Sequence, residues 1–371
     1  MIKFLLILIF VFLSFNLSAQ KISENEEAKS LAARSLDKMY NFEIVESVKL
    51  AEQLEQVIPG HPAPTFLRFL NFYWNSLPGN TEENETFYKY LKETLSRAEM
   101  LLKKDKNNEE GIFFAMAAHG YLSQHYAEEK NHFKALKEAK NAYSFMKEGF
   151  SRLEQNPEFY YTTGMYNYYR EQFPESHQGY KAFMWIFASG DKEKGLKQLD
   201  KASKEALFTK TEATNYAANI YLRYEVAPSK AEKYAAKLVA SYPGNHLYRS
   251  MYCETLINLA KYDEAKPHID MLKSVNVPYF NFIGDVYHAI RLEKQENKYS
   301  EARKIYTKVI QNANTIPYKV DHYKSMAYCG LGRISHIEGK NDLAKDYFKQ
   351  VLELAYYPSV RQQAETGLKK I

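Results

Sequence analysis

The sequence predicts an all-α protein built as a solenoid, and two observations lead to this fold class. Glycine (15) and proline (12) are scarce among 371 residues, of which 45% are hydrophobic. This composition favours long helices joined by short turns over a sandwich of many short strands. From residue 190 onward, a turn followed by an amphipathic helix also recurs at a near-regular interval. Such recurrence is typical of helix pairs that stack on one another.

A small residue marks the same position in each of these repeats. The intervals between successive positions are 36, 34, 37 and 42 residues, and the positions are Gly195, Ala231, Ala265, Ala302 and Ala344. Each small residue is followed, four and seven residues later, by another side chain that can pack on the same helical face. We therefore expect the small residues to lie where neighbouring helices cross.

The last complete repeat, residues 325–351, resembles the tetratricopeptide repeat (TPR) family. Its matches to the aromatic, leucine, glycine, alanine and second aromatic positions of that family are Tyr328, Leu331, Gly332, Ala344 and Phe348. The resemblance implies a right-handed superhelical solenoid of antiparallel helix pairs. In the N-terminal half the repeats are degenerate.

We predict three parts along the chain. A signal peptide covers 1–19, a degenerate TPR-like helical region covers 20–188, and a TPR array with a C-terminal capping helix covers 189–371. The second part ends in an aromatic-rich segment, 158–188. Its predicted helices are 24–40, 43–57, 63–76, 82–104, 109–127, 131–155 and 158–172.

The first 19 residues have the pattern of a secretory leader. Lys3 precedes an apolar run from Phe4 to Leu13, and a small-residue stretch then ends at Ala19. This pattern predicts cleavage after Ala19 and an exported protein, periplasmic or secreted. The apolar run is shorter than the ~20 residues of a spanning helix, so we expect no membrane span after cleavage.

The charge distribution bears on the class of partner. The chain has 50 Lys and Arg against 45 Asp and Glu, a net charge of +5. The basic residues are interspersed with acidic ones along the whole sequence. A mild and evenly spread excess argues against nucleic acid as the main partner.

Motifs for catalysis or metal binding are weak. His119, His125 and His132 are spaced six and seven residues apart, so they do not share one helical face. Pro174-Glu175-Ser176 is similar to the Glu-Ser motif of helical-ring lytic transglycosylases. This resemblance implies that Glu175 is a general acid. The companion motif of that family is missing from the sequence. We expect no enzyme, no cofactor and no metal site, and keep a glycan-cleaving enzyme as a third alternative.

The TPR resemblance also implies a concave groove that binds a partner. The positions it selects are Tyr216, Arg223, Tyr224, Glu254, Asn258, His288, Arg291, Arg333 and His336. Three arginines and two tyrosines suit an extended or acidic peptide. The main functional hypothesis is therefore a non-catalytic scaffold or adaptor of the cell envelope that binds a partner protein or peptide. The alternative is a merely solvated inner face.

Aromatic residues cluster just before the clear repeats. They are Tyr160, Tyr161, Tyr166, Tyr168, Tyr169, Phe173, Tyr180, Phe183, Trp185 and Phe187. Tyrosine and tryptophan faces stack on sugars and cations, so the second functional hypothesis is a binding protein for a small ligand, a glycan or an apolar solute. The other interpretation is that these rings fill the space between helices.

Overall fold

The computed structural model describes residues 21–77, 85–176 and 188–371, without the side chains of 85–87 and 173–176. Within these ranges the protein is all-α, with seventeen α-helices and no β-strand. The predicted signal peptide lies outside the described residues. No helix in these ranges has both the length and the apolar character that a membrane crossing requires.

The helices follow one another with short connections. They are α1 (Glu26–Tyr40), α2 (Ile44–Val57), α3 (Pro62–Ser76), α4 (Glu85–Lys104), α5 (Glu109–Glu128), α6 (His132–Phe150), α7 (Glu158–Ser176), α8 (Lys192–Glu205), α9 (Lys210–Asn219), α10 (Pro228–Ser241), α11 (His246–Asn258), α12 (Tyr262–Ser274), α13 (Pro278–Lys294), α14 (Tyr299–Asn312), α15 (Asp321–Ile337), α16 (Asn341–Leu354) and α17 (Pro358–Lys370). A π-helical turn, Ile220–Tyr224, extends α9.

Local sequence signals explain where many helices begin. The side chains of Asn25, Asn108 and Asp191 each accept a hydrogen bond from the backbone N–H three residues further on, at 3.0, 2.7 and 3.0 Å. Such caps satisfy a donor that the first helical turn leaves free. Proline begins α3, α10, α13 and α17, where its missing N–H costs nothing. The predicted helices of the N-terminal half agree with these bounds within a few residues.

The largest difference among those predictions is the end of α6. The sequence predicts a helix that continues to residue 155, but α6 ends at Phe150 and the chain turns through 151–157. Gly149 lies directly under the ring of Phe159, where an added Cβ would come within 2.6 Å. The turn brings Phe159 of α7 onto this glycine, so a tertiary contact explains the early end.

The small residues of the repeats are buried where helices cross. Ala231, Ala265, Ala302 and Ala344 have no exposed surface, and Gly195 is also buried. A Cβ at Gly195 would lie 2.7 Å from both the carbonyl oxygen of residue 164 and the backbone nitrogen of residue 168. The residues four and seven positions after each small residue are buried as well. One packing surface is therefore repeated through α8, α10, α12, α14 and α16.

The helices form a superhelical solenoid that closes on itself. Each helix packs on its neighbours in sequence, and α17 also packs on the π-helical turn. The turn after α1 meets the segment before α11: Gly244 donates its N–H to Asn41 Oδ1 (2.8 Å), and Asn245 Nδ2 donates to the carbonyl oxygen of Tyr40 (2.8 Å). The concave face consequently surrounds a central space.

The predicted boundary between residues 188 and 189 lies between α7 and α8. α7 and α8 pack as one helix pair across it. One continuous hydrophobic core runs from Ile22 to Met251, and a second runs from Cys253 to Ala364. Because the closure joins α1 to α10 and α11, the first core extends past the predicted boundary by about sixty residues.

Candidate functional site

A cavity of about 780 Å³ occupies the central space of the superhelix. Its walls come mainly from the odd-numbered helices α1 to α15, which are the first helices of their pairs and face inward, as a solenoid of helix pairs requires. Aromatic side chains dominate the lining, among them Tyr73, Trp74, Tyr121, Tyr161 and Tyr216. The rings pack edge to face, as Tyr73 does on Tyr121 with 5.2 Å between ring centroids.

Glu212, near the beginning of α9, places a carboxyl group on this aromatic wall. Tyr40 Oη donates a hydrogen bond to Glu212 Oε1 at 3.3 Å. Burial raises the pKa of Glu212 to about 7, although Asn215, Tyr40 and Trp74 act in the opposite direction. The side chain keeps partial solvent access through the cavity. This carboxyl group therefore changes charge close to neutral pH.

Two polar atoms in the same wall have no hydrogen-bond partner among the described residues. They are Trp74 Nε1 and Tyr248 Oη, on side chains that are 3% and 1% exposed. The indole N–H is near enough to lower the pKa of Glu212 but does not form a hydrogen bond of good geometry with it. Buried polar groups are usually paired, so these two atoms are exceptions within the described structure.

The π-helical turn carries two of the predicted groove residues, Arg223 and Tyr224. Arg223 lines the cavity and donates from Nε and Nη2 to the two oxygens of Glu254, at 3.3 and 2.7 Å. His322 Nε2 lies 2.9 Å from Glu254 Oε1. Tyr224 packs edge to face on Tyr357, which links the turn to α17. Arg223 is therefore the cation of a buried ion pair within this chain.

Three more of the predicted groove residues form contacts within the protein. Arg333 donates to both oxygens of Glu293, at 2.6 and 2.8 Å, and Arg291 pairs with Glu296 at 2.6 Å. Asn258 donates to the carbonyl oxygen of Glu254. The structure thus pairs each of the three arginines that suggested an acidic ligand with a carboxylate of this chain.

The remaining three groove candidates differ in position. Tyr216 lines the cavity and packs near Tyr161, with 5.9 Å between ring centroids. His288 is partly buried, and burial lowers its pKa. His336 Nδ1 lies 3.0 Å from Asn341 Oδ1 at the turn between α15 and α16. Of the nine predicted positions, Tyr216 and Arg223 line the cavity.

The aromatic cluster predicted from the sequence divides between core and cavity. Tyr161 and Tyr166 line the cavity, whereas Tyr168 is fully buried and donates to Glu225 at 2.5 Å. Tyr160 is buried beside Glu154 and Lys201, and Tyr169 packs on other tyrosines. The remaining members lie outside the described residues, or have side chains that do: Phe173, Tyr180, Phe183, Trp185 and Phe187.

The side chain of Glu175, the candidate general acid, also lies outside the described part of the structure. Across 21–77, 85–172 and 188–371, no group of three potential metal ligands comes together.

Four cavity residues were not predicted from the sequence, and they come from helices far apart in the chain: Tyr40, Trp74, Glu212 and Tyr248. No local motif marks them, because the superhelical closure alone brings them together.

The sequence matches no known protein family and no curated protein. Among solved structures, yeast Tom70 has 13% identity and a TM-score of 0.38, with 94% of this chain and 82% of that chain covered. The human IFIT1 dimer with PPP-AAAA has 14% identity and a TM-score of 0.37, with 92% and 97% covered. The C-terminal part of a TPR repeat-containing protein from Cytophaga hutchinsonii has 15% identity and a TM-score of 0.26, with 91% and 99% covered. At TM-scores below 0.5, these similarities carry no argument about function.

Proposed function

We propose that this protein is an exported, non-catalytic scaffold of the cell envelope that holds a segment of a partner protein or peptide in its central cavity. The observation that carries the proposal is the cavity itself, about 780 Å³ in volume and lined by the inward-facing helices of a closed superhelix. Aromatic side chains with few rotatable bonds supply much contact area at a small entropic cost, which suits recognition of a bound segment. Export is supported by the leader pattern of residues 1–19.

A substitution at Gly120 tests this proposal. Gly120 of α5 lines the cavity, and a Cβ added there would have no neighbouring atom within 4 Å. Gly120→Trp should therefore fill the cavity with little strain at the backbone. The control is Ala127→Trp, which adds the same side chain at an exposed position of α5 that does not line the cavity.

The measurement is affinity capture from an envelope extract of the source cells, with both variants and the wild type immobilised at equal density. Partners that bind in the cavity should be recovered by wild type and Ala127→Trp and lost with Gly120→Trp. Equal recovery of every captured protein by all three forms would reject the cavity as the partner site.

A second candidate function is binding of a small glycan or apolar solute. It is favoured by the cavity volume, which lies within the ~300–1,000 Å³ that is usual for small-molecule sites. Ligand binding to the folded state raises the melting temperature by mass action. A thermal-shift screen of glycans and apolar solutes should then find ligands that stabilise wild type and leave Gly120→Trp unchanged. A flat screen for wild type contradicts this candidate.

A further inference from the structure

The electrostatics of the cavity favour a ligand of particular charge. Two residues that carry charge line it, Glu212 and Arg223. The guanidinium of Arg223 is neutralised by Glu254, whose side chain is 2% exposed. Glu212, by contrast, forms no ion pair with a lysine, arginine or histidine of the described residues. The polar groups that lower its pKa, on Tyr40, Asn215 and Trp74, are all neutral. The unbalanced charge inside the cavity is therefore one carboxylate.

Aromatic rings surround this carboxylate. Tyr40 and Trp74 meet edge to face, with 5.0 Å between ring centroids, and Trp74 meets Tyr248 at 5.8 Å. Tyr73, on the same helix as Trp74, faces the cavity as well. The faces of such rings attract cations, most strongly where water is excluded. A carboxylate within an aromatic wall is an arrangement that recognises an ammonium group.

We propose that the cavity binds an alkylammonium group, which pairs with Glu212 and contacts the partly exposed tyrosine rings of the cavity wall. These rings are Tyr73, Tyr121, Tyr161 and Tyr216. This inference rests on the proposed function, because it names the chemistry of the ligand that the same cavity would hold. The ammonium can belong to a lysine side chain of a partner or to a free amine. The proposed ligand is therefore cationic, whereas the three arginines of the predicted groove suggested an acidic one. Each of those arginines is paired with a carboxylate of this chain.

Oxygen acceptors in the cavity wall support the assignment. An ammonium group has three N–H donors and no acceptor, so a buried one needs several oxygen acceptors. Glu212 offers a carboxylate, and the cavity wall also contains the hydroxyl groups of partly exposed tyrosines such as Tyr73 and Tyr216.

Glu212 is the group that titrates near neutral pH in this wall. The groups that face it from the surrounding helices are tyrosines whose pKa values burial raises, so they stay neutral: Tyr40 of α1, Tyr73 of α3, Tyr121 of α5, Tyr161 of α7, Tyr216 of α9, Tyr242 after α10 and Tyr248 of α11. Trp74 and Asn215 do not titrate. Because the ammonium pairs with the ionised carboxylate, its affinity should fall about tenfold from pH 8 to pH 6.

Isothermal titration calorimetry on the full chain tests the inference with three probes. Hexylammonium chloride carries the ammonium, hexan-1-ol is its neutral analogue, and the blocked tripeptide acetyl-Gly-Lys-Gly-amide presents a lysine side chain. Hexylammonium should bind wild type at least tenfold more tightly than hexan-1-ol at pH 8. Glu212→Gln should abolish this preference. The control Glu205→Gln, which removes the same charge at an exposed position of α8, should leave it unchanged.

The two amine probes distinguish the source of the ligand. Tighter binding of the lysine peptide assigns a partner protein, and tighter binding of hexylammonium assigns a free amine; both results support the ammonium site. Equal affinities for hexylammonium and hexan-1-ol, or no binding of either amine, would overturn it. If Glu212→Gln does not fold, the comparison of hexylammonium with hexan-1-ol on wild type carries the test, and equal affinities overturn the inference.

These failures differ from failure of the proposed function. Loss of the ammonium preference leaves intact a cavity that binds partners by other contacts, and Gly120→Trp would still abolish capture of those partners. The proposed function fails when Gly120→Trp captures the same proteins as wild type.

Discussion

The backbone N–H of Gly244 lies 2.8 Å from Asn41 Oδ1, and this hydrogen bond joins two segments that are 203 residues apart. It ties the turn after α1 to the segment before α11. A Cβ at position 244 would lie 2.7 Å from the carbonyl oxygen of Asn41, so this close approach requires glycine. The contact closes the first turn of the superhelix and so holds together the cavity walls formed by α1 and α11.

Replacement of this glycine should weaken the closure. We expect Gly244→Ala to lower the free energy of unfolding by about 1–3 kcal/mol, because the added methyl group must displace backbone. Urea denaturation followed by circular dichroism measures the loss. The control is Gly120→Ala, where the added methyl has open space and better helix propensity stabilises the protein by up to about 1 kcal/mol. Equal midpoints for the two variants would contradict a role for the closure.

A buried carboxylate caps α9, the helix that carries Glu212. Glu158 of α7 accepts hydrogen bonds from the backbone N–H groups of Leu207, Phe208 and Thr209 at 2.6, 3.0 and 2.9 Å, and from Thr209 Oγ1 at 2.8 Å. Glu158→Ala leaves these donors without their acceptor, so we expect a loss of about 3 kcal/mol or more.

Chemical denaturation checks this value. Glu158→Gln should lose less than Glu158→Ala, because one oxygen acceptor remains. Glu205→Ala, at an exposed position, should change stability by less than about 0.5 kcal/mol. A Glu158→Ala variant as stable as Glu205→Ala would show that the cap contributes nothing.

Arg333 should act on stability rather than on ligand affinity. Its guanidinium pairs with Glu293, which is 4% exposed and also accepts a hydrogen bond from Tyr306 Oη at 2.7 Å. Arg333→Ala leaves a buried carboxylate without its cation, and such a loss costs about 3–5 kcal/mol. Thermal and urea unfolding measure the effect.

The double variant Glu293→Gln with Arg333→Met distinguishes the two roles of this arginine. Removal of both charges should recover most of the lost stability, because the penalty comes from the unpaired carboxylate. Arg34→Ala, at an exposed arginine, serves as the neutral control. A stable Arg333→Ala variant that loses its partner would instead support the groove role predicted from the sequence.

Glu212 should make stability fall as the pH rises toward neutral. Its pKa in the folded protein, about 7, is above the ordinary value of 4.5, so the folded state retains a proton that the unfolded state loses between these values. The stabilisation is fully present below about pH 4.5 and is lost as the pH rises through about 7. The contribution of Glu212 to the free energy of unfolding is at most about 3 kcal/mol. Because the side chain has partial solvent access, the actual contribution is smaller.

Urea denaturation of wild type and Glu212→Gln at pH 4.5, 6 and 8 checks the sign. The variant should gain stability relative to wild type as the pH rises, because it never carries the buried charge. Glu205→Gln should keep the wild-type pH dependence. A constant difference between wild type and Glu212→Gln across this range would contradict a raised pKa in the folded protein.

The helices were predictable because their signals are local. Asn108 caps α5 through a side chain three residues from its donor, and prolines begin four helices where a free N–H is not needed. The packing face of the repeats has the same local origin, since positions four and seven residues after Ala231 lie on one side of α10. Where a tertiary contact intervened, as Phe159 does on Gly149, the predicted helix end was wrong.

The lining of the cavity was predictable only in part. The TPR resemblance predicted Tyr216 and Arg223, and the aromatic cluster contained Tyr161 and Tyr166. All four residues line the cavity. The sequence does not indicate that Arg223 and Arg333 are already paired, because their carboxylates lie 31 and 40 residues away. From the sequence alone, each arginine is therefore predicted to be free to bind a ligand, although in the structure it pairs with a carboxylate of the same chain.

The sequence by itself determined the helical repeats, because periodic burial and helix caps depend on residues within one or two turns of each other. Only the tertiary structure decided that the solenoid closes, and with it that Tyr40, Glu212 and Tyr248 share one wall of a cavity. These three residues lie close together because of the total rotation that successive helix pairs add along the superhelix. Small rotations add along a superhelix, so no single segment of the sequence contains that geometry.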